Sequence, residues 1–342
     1  MKMSKALLDD LGAPAPDVLL DVGSGSPATQ TARVRERFEP VLLQHRPAWV
    51  VVVGDVNSTL ACALVAAKLR AEIGCRIAHV EAGLRSHDWS MPEEVNRVLT
   101  DRLSDLLLTP SDDAEENLLH EGMESTRTEF VGNVMIDSLL DVPPKARALD
   151  MPGRLAVHNG SYALATLHRP SNVDDPELLA LLLGARARVA EERPVVFPMH
   201  PRTAERACEA NAVPLLKRSI VTEPLGYAEM AGMQDGAAAV ITDSGGLQEE
   251  TTVLGVPCIT VRAQTERPIT VNQGTNRIVE WPLSIDGVMS DVRDVIAKGR
   301  LPVGGVAPAG WDGRAAARIV RALCDGAPPT CLDRRAIAGS AK

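Results

Sequence analysis

From Trp49 onward the chain alternates short apolar runs with longer stretches of helical pattern, and no other feature restricts its fold as much. The run Trp49-Val50-Val51-Val52-Val53 has no polar alternation, so the strand it forms must be covered on both faces. Strands of that kind, joined by helical crossovers, build a parallel sheet with helices on either side. After the first run comes a Gly54-Asp55 turn, with Asn57 or Ser58 set to cap a helix. Arg76 to Val80 reads as the next strand and ends at Glu81. Leu106-Leu107-Leu108 is a third, stopped by Thr109-Pro110, with Ser111 capping the helix that follows. Val131-Gly132-Asn133 closes this lobe.

The Pro and Gly content between Asp141 and Gly153 marks a boundary, which gives a first domain of 1–145 and a second of 146–310. Beyond it the alternation restarts. A strand at Tyr162–Leu167 precedes a helix from Pro176 to Glu191, and strands follow at Val195–Phe197, Ala237–Thr242 and Cys258–Val261. This is a second Rossmann-like lobe. Residues 311–342 read as a C-terminal helix, near Asp312–Leu323, that packs back on the first lobe and ends in a frayed tail. The length of 342 residues also exceeds the ~250–300 at which single cores stop growing, so an α/β protein of two lobes with a ligand cleft is expected.

Composition excludes several classes of function. Asp and Glu number 45 against 36 Lys and Arg, a net charge of -9, and no basic cluster is present, so nucleic acid is not an expected partner. No apolar run reaches bilayer length, and acids stand among the first ten residues where a signal peptide would be apolar; a cytoplasmic protein with no membrane partner is expected. The six cysteines, Cys62, Cys75, Cys208, Cys258, Cys324 and Cys331, have no C-x-x-C spacing and read as reduced filler.

In open parallel sheets ligands bind at the carboxyl ends of the strands, where Asp55, Glu81, His168 and His200 all stand. Each alone has a structural explanation: an Asx-turn for Asp55, a pair with Arg85 for Glu81, a satisfied interior position for either histidine. Their recurrence across both lobes favours a site. Glu93 lies in Ser90-Met91-Pro92-Glu93-Glu94, which has capping-box spacing, and a carboxylate there also gains from the helix dipole. Thr242 to Glu250, reading T-D-S-G-G-L-Q-E-E, follows a strand and opens a helix, so its free N–H groups and small residues suit a diphosphate. Glu250 on that helix is placed to accept from ribose hydroxyls. Gly23-Ser24-Gly25-Ser26 follows no strand and reads as a loop.

Together these strings carry a resemblance. Val53-Gly54-Asp55, His79-Val80-Glu81-Ala82-Gly83-Leu84-Arg85, Pro92-Glu93-Glu94-Val95-Asn96-Arg97, Leu167-His168-Arg169, His200-Pro201-Arg202, Thr242 to Glu250 and Thr265-Glu266-Arg267-Pro268 occur in the order and approximate spacing of the non-hydrolysing UDP-N-acetylglucosamine 2-epimerase family. The resemblance covers about Gln30 to Gly313. It implies a GT-B-like pair of Rossmann-like domains with the active site in the interdomain cleft, and acid/base roles for Asp55, Glu81, Glu93 and His168. It further implies that Ser244, Gly245, Gly246, Glu250 and Arg267 hold UDP, with Arg169 and His200 nearby and Tyr227 and Met230 beside the uracil.

The implied reaction is elimination of UDP to 2-acetamidoglucal and re-addition, interconverting UDP-GlcNAc and UDP-ManNAc, with no cofactor and no metal, in a homodimer serving cell-envelope polysaccharide biosynthesis. Which carboxylate acts as base stays open. A hydrolysing epimerase, an epimerase of a related UDP-sugar and an inactive nucleotide-sugar binding protein are the alternatives. The family's opening strand and G-T-R-P-E loop have no counterpart in this sequence, so the chain as written is expected to be an incomplete form of the enzyme.

Overall fold

The computed structural model describes residues 12–325. The first ten residues, read above for their acids, and the tail after Gly326, with Cys331, lie outside the described residues. By contacts the described residues form two compact units, one of 17–133 with 314–325, the other of 134–313 with 12–16.

The first unit begins with α1 (Pro27–His45), capped by Ser26, whose Oγ accepts from Thr29 N at 3.2 Å. Then come β1 (Trp49–Val53), α2 (Asn57–Ile73), β2 (Arg76–Val80), α3 (Pro92–Leu103), β3 (Leu106–Thr109), α4 (Asp112–His120) and β4 (Thr128–Phe130). The strands lie parallel in the order β1-β2-β3-β4. Val50 and Val52 enter a core with Ile77, Ala63 and Leu42, but Val51 and Val53 face outward, half exposed, so the expected cover on both faces of this strand is found on one face only among the described residues. The capping expectations need correction. The N-cap of α2 is Val56, which has no side-chain acceptor, and Asn57 is already helical. Ser111 does stand at the N-cap of α4, but its hydroxyl caps no N–H. In α3 the N-cap is Met91, not Ser90, without a side-chain cap.

The second unit runs α5 (Val134–Asp141), α6 (Pro143–Leu149), α7 (Met151–Arg154), β5 (Ala163–Thr166), α8 (Pro170–Val173), α9 (Pro176–Glu192), β6 (Val195–Pro198), α10 (Pro201–Glu209), β7 (Ile220–Thr222), α11 (Tyr227–Gly236), β8 (Ala239–Thr242), α12 (Gly245–Leu254), β9 (Cys258–Thr260), α13 (Pro268–Asn272), β10 (Asn276–Ile278) and α14 (Ile285–Lys298). Its six parallel strands follow the order β10-β9-β8-β5-β6-β7. Numbered within the unit this is 6-5-4-1-2-3, the doubly wound Rossmann order, with β5 and β8 flanking the switch point. Two apolar layers cover the sheet, one built on Leu179, Leu183, Phe197 and Val292, the other on Ile136, Tyr162, Val196 and Met233. The Pro-rich stretch after Asp141 is helical, and Ile136, Leu139 and Ala146 are buried in the second layer, so contacts divide the chain between Asn133 and Val134.

The last described helix, α15 (Ala315–Asp325), belongs to the first unit: Trp49 Nε1 donates to Leu323 O at 3.1 Å and Arg318 Nε to Val131 O at 2.6 Å. No described helix is long and apolar enough to cross a membrane.

Gly83 has φ +83, and a Cβ there would lie 2.3 Å from Ala114 O on α4. Left-handed strain and the backbone clash act together, so Gly83→Ala should destabilise the protein by about 2–4 kcal/mol. Urea unfolding measures it; an unchanged midpoint would mean that α4 can shift away without loss.

Candidate functional site

The strand pairing of the first unit determines how Asp55 and Glu81 stand. Val53 is in register with Val80, so the residues just beyond them, Gly54 and Glu81, are neighbours. Gly54 N donates to Val80 O at 3.0 Å, and a Cβ on Gly54 would lie 3.9 Å from Glu81 Oε2. Glu81 itself takes the left-handed conformation, φ +67, which turns the chain sharply off the strand end. Asp55 is fixed from α3: Arg97 Nη2 and Nε approach its Oδ2 at 2.7 and 3.0 Å, and Asn96 Nδ2 donates to its carbonyl at 2.8 Å. The guanidinium of Arg85 is bound instead to Asp101 and Glu121.

The adjacent acids that open α3 separate. Glu93 is exposed in the first turn. Glu94 is buried and accepts from Ser86 N and Oγ, both at 3.0 Å, from His87 N at 2.8 Å and from Arg97. Burial alone would push its carboxyl up, but these donors outweigh it and hold it below the usual carboxylate range. Sequence reasoning passed over Glu94.

In the second unit, His168 follows β5 and Asp243 follows β8, so the two meet at the switch point. His168 Nδ1 lies 3.0 Å from Asp243 Oδ1. Asp243 is fully buried and accepts from the backbone N–H groups of His168 (3.0 Å) and Arg169 (2.9 Å) and from Asn172 Nδ2 (3.2 Å). Against the opposing effect of burial, His168 and these N–H groups hold its carboxyl below the ordinary range. The contact fixes the imidazole tautomer, with the proton on Nδ1 and Nε2 turned away from the carboxylate. Asp243 was visible in T-D-S-G-G at a strand end, the same signal that picked out Asp55, yet it received no role. His200, exposed at the N-cap of α10, has its ring centroid 6.0 Å from that of His168 and accepts from Arg202 N through Nδ1 at 3.2 Å. Partial burial and the neighbouring His168 and Arg202 lower its pKa.

Ser244 is the N-cap of α12, and its hydroxyl caps no N–H of that helix. The helix opens on Gly245 and Gly246. A Cβ on Gly245 would lie 2.7 Å from Glu266 Oε1, and one on Gly246 would lie 3.0 Å from Met135 Cε, so both positions require glycine or movement of a neighbour. Glu266 carries Arg169 (Nη2 at 2.9 Å) and Arg262 (2.7 Å), and these cations with Arg267 hold its buried carboxyl far below the usual range despite desolvation. Arg267 Nε pairs with Glu249 at 2.7 Å. The unit therefore gathers Arg169, Arg262 and Arg267 near a helix start with no acid in its first turn, an arrangement suited to an anion.

Further along α12, Glu250 is buried with only neutral donors, Gln234 Nε2 at 2.6 Å and the Tyr227 hydroxyl. Burial raises its carboxyl pKa, and these hydrogen bonds only partly oppose the rise. Tyr227 is likewise raised, by burial and by Glu250. Met230, on α11, is half-buried beside the apolar layer that holds Tyr227. Among the described residues no group of three or more His, Cys, Asp or Glu side chains is arranged to hold a metal.

Residues 1–324 match the family model described as UDP-N-acetylglucosamine 2-epimerase. The UDP-N-acetylglucosamine 2-epimerase of Methanocaldococcus jannaschii is 42% identical over 285 residues, which are 81% of this chain and 77% of that protein. The UDP-2,3-diacetamido-2,3-dideoxy-D-glucuronate 2-epimerase of Pseudomonas aeruginosa is 42% identical over 280 residues, 81% of this chain and 76% of that one. The crystal structure of Methanocaldococcus jannaschii UDP-GlcNAc 2-epimerase in complex with UDP-GlcNAc and UDP aligns with a TM-score of 0.84 at 38% identity, over 94% of this chain and 88% of that chain. A match of this extent and identity, on a fold whose switch point carries the His168–Asp243 pair, means that the chain belongs to the UDP-N-acetylglucosamine 2-epimerase family.

Proposed function

We propose that the protein interconverts UDP-GlcNAc and UDP-ManNAc by eliminating and re-adding UDP. The observation that carries the reading is the second unit's switch point, where His168, ordered by Asp243, stands at the end of the strand next to the one that leads into α12. That is where a doubly wound sheet binds nucleotides. We assign UDP to Ser244, Gly245, Gly246, Glu250, Arg169, His200 and Arg267, with Tyr227 and Met230 beside the base.

In the assigned reaction one of Asp55, Glu81 and Glu93 takes the C2 proton. The C2–H electron pair becomes the C1=C2 bond, and the C1–O bond breaks with its electrons on the departing diphosphate. Cations and N–H groups around His168, Arg169 and Ser244 offset the charge that develops there. The bound 2-acetamidoglucal then receives a proton at C2 on the opposite face while a phosphate oxygen of UDP rejoins C1. By the same resemblance we assign a homodimer in the cytoplasm. The equal identity to the diacetamido-glucuronate epimerase makes that sugar the second reading, so both substrates belong in one assay.

Turnover of UDP-GlcNAc in deuterated water should deliver deuterium to C2 of both epimers; turnover without exchange would end the elimination reading, and free N-acetylmannosamine as main product would make the enzyme a hydrolase. Asp55→Asn, Glu81→Gln and His168→Ala should each lower kcat by ~10²–10⁴. Asp243→Asn should lower kcat through the wrong imidazole tautomer, and wild-type turnover in that variant would remove Asp243 from the site. Gly245→Ala pushes on Glu266 and should weaken UDP binding about tenfold, near 1.4 kcal/mol, measured by calorimetry; unaltered affinity would argue against a diphosphate at α12.

A further inference from the structure

His79 is a buried titratable side chain to which the chemistry above gives no task. It lies in β2, two residues before Glu81, with no solvent exposure. Its Nδ1 is 2.6 Å from Asp101 Oδ1 and its Nε2 is 2.9 Å from Gly54 O. The other oxygen of Asp101 already receives Arg85 at 2.7 Å and Gly83 N at 3.2 Å. Both ring nitrogens therefore face oxygens that accept, and a neutral imidazole has only one N–H to give. Only the imidazolium, with an N–H on each nitrogen, satisfies both acceptors.

Its charge is balanced where it lies. His79 and Arg85 supply two cations, Asp101 and Glu121 two anions, and each is hydrogen-bonded to another of the set. Without that balance a buried imidazolium would shed its proton. Burial does press the His79 pKa down, but Asp101, the Gly54 carbonyl and the nearby Glu81 carboxylate outweigh it and raise the pKa above its ordinary value. Asp101, correspondingly, lies below its own.

We propose that His79 is a positioning residue for the epimerase reaction, a cationic clamp that fixes Asp55 and Glu81 relative to each other across the ends of β1 and β2. The proposal rests on the roles assigned to those two carboxylates above. The turns they occupy each pass through the left-handed region, φ +66 at Gly54 and φ +67 at Glu81. Gly54 is tied to β2 on both sides, its N–H to Val80 O at 3.0 Å and its carbonyl to His79. The turn after Glu81 is tied by Ala82 N to Leu108 O at 3.2 Å and by Gly83 N to Asp101. Asp101 grips one turn directly and the other through His79, so the imidazolium adds a side-chain link between them. Its charge also attracts the Glu81 carboxylate.

The test uses the full chain. With ¹⁵N-labelled histidine, the His79 ring, identified by its loss in His79→Gln, should give the signature of two protonated nitrogens at neutral pH. In His79→Gln, whose neutral amide can serve one acceptor and carries no charge, kcat should fall about ten- to a hundredfold while KM for the UDP-sugar and the affinity for UDP stay within about threefold. A neutral tautomer in the spectrum overturns the proposal, and should His79→Gln fail to fold, ring-to-backbone correlations in the unsubstituted chain identify the His79 signal in its place. So does unchanged kcat in a folded variant, or a loss of UDP affinity parallel to the loss of kcat, which is the mark of a structural role only. Absence of turnover of either sugar by the unsubstituted chain would instead strike the assigned reaction, while the spectrum would still report the state of His79.

Discussion

Asp243 is a carboxylate with no exposure to water, and it stays ionised because several donors converge on it: two backbone N–H groups, the Asn172 amide and the His168 ring. The convergence depends on the sheet. Only with β5 beside β8, in a register that sets Thr166 opposite Thr242, do the two strand ends finish level. The Thr166 and Thr242 hydroxyls, 2.7 Å apart, mark that register inside the sheet. From this point the order spreads: Arg169, anchored by its N–H to Asp243, reaches Glu266, and Glu266 lies against Gly245 at the start of α12.

Glu250 obeys the opposite logic on the same helix. It is about as deeply buried as Asp243, but its partners are an amide and a phenol, neither charged, so its proton affinity rises where that of Asp243 falls. In the first unit, Glu94 repeats the Asp243 pattern with Ser86, His87 and Arg97 as donors, and it stiffens the loop between β2 and α3. The neighbouring Glu93 keeps its exposure. Adjacent identical residues thus divide into one that organises the loop and one that faces solvent.

Much of this was legible in the sequence because the signals were long or repeated. The valine run of β1, the strand at Arg76–Val80 and the helix from Pro176 emerged within a residue of their expected limits. The short strands β4, β7 and β10 were missed, since only one of their nine residues is buried and no apolar run marks them, whereas the equally short β9 is buried throughout and was found. The Pro-rich stretch after Asp141 read as a linker helical only in part, whereas prolines at the first turns of α6 and α7 begin helices whose apolar residues are buried. For the proposed site, strand-end position pointed to Asp55, Glu81, His168 and His200. The residues that hold them, Arg97, Asp101 and Asp243, were not singled out, because pairing across tens of residues leaves no local pattern.

The pairing of His168 with Asp243 also bears on how the second unit comes together. The two residues are 75 positions apart, so their contact closes a loop whose conformational entropy costs about 4 kcal/mol. No local segment can form this pair early in folding. It appears only after β5 and β8 have found each other across the intervening β6, β7 and their helices, in a parallel topology that folds slowly because its contacts are remote in sequence. A ligand that requires the finished pair recognises the native state and not its precursors, and each molecule of it bound draws the folding equilibrium toward completion.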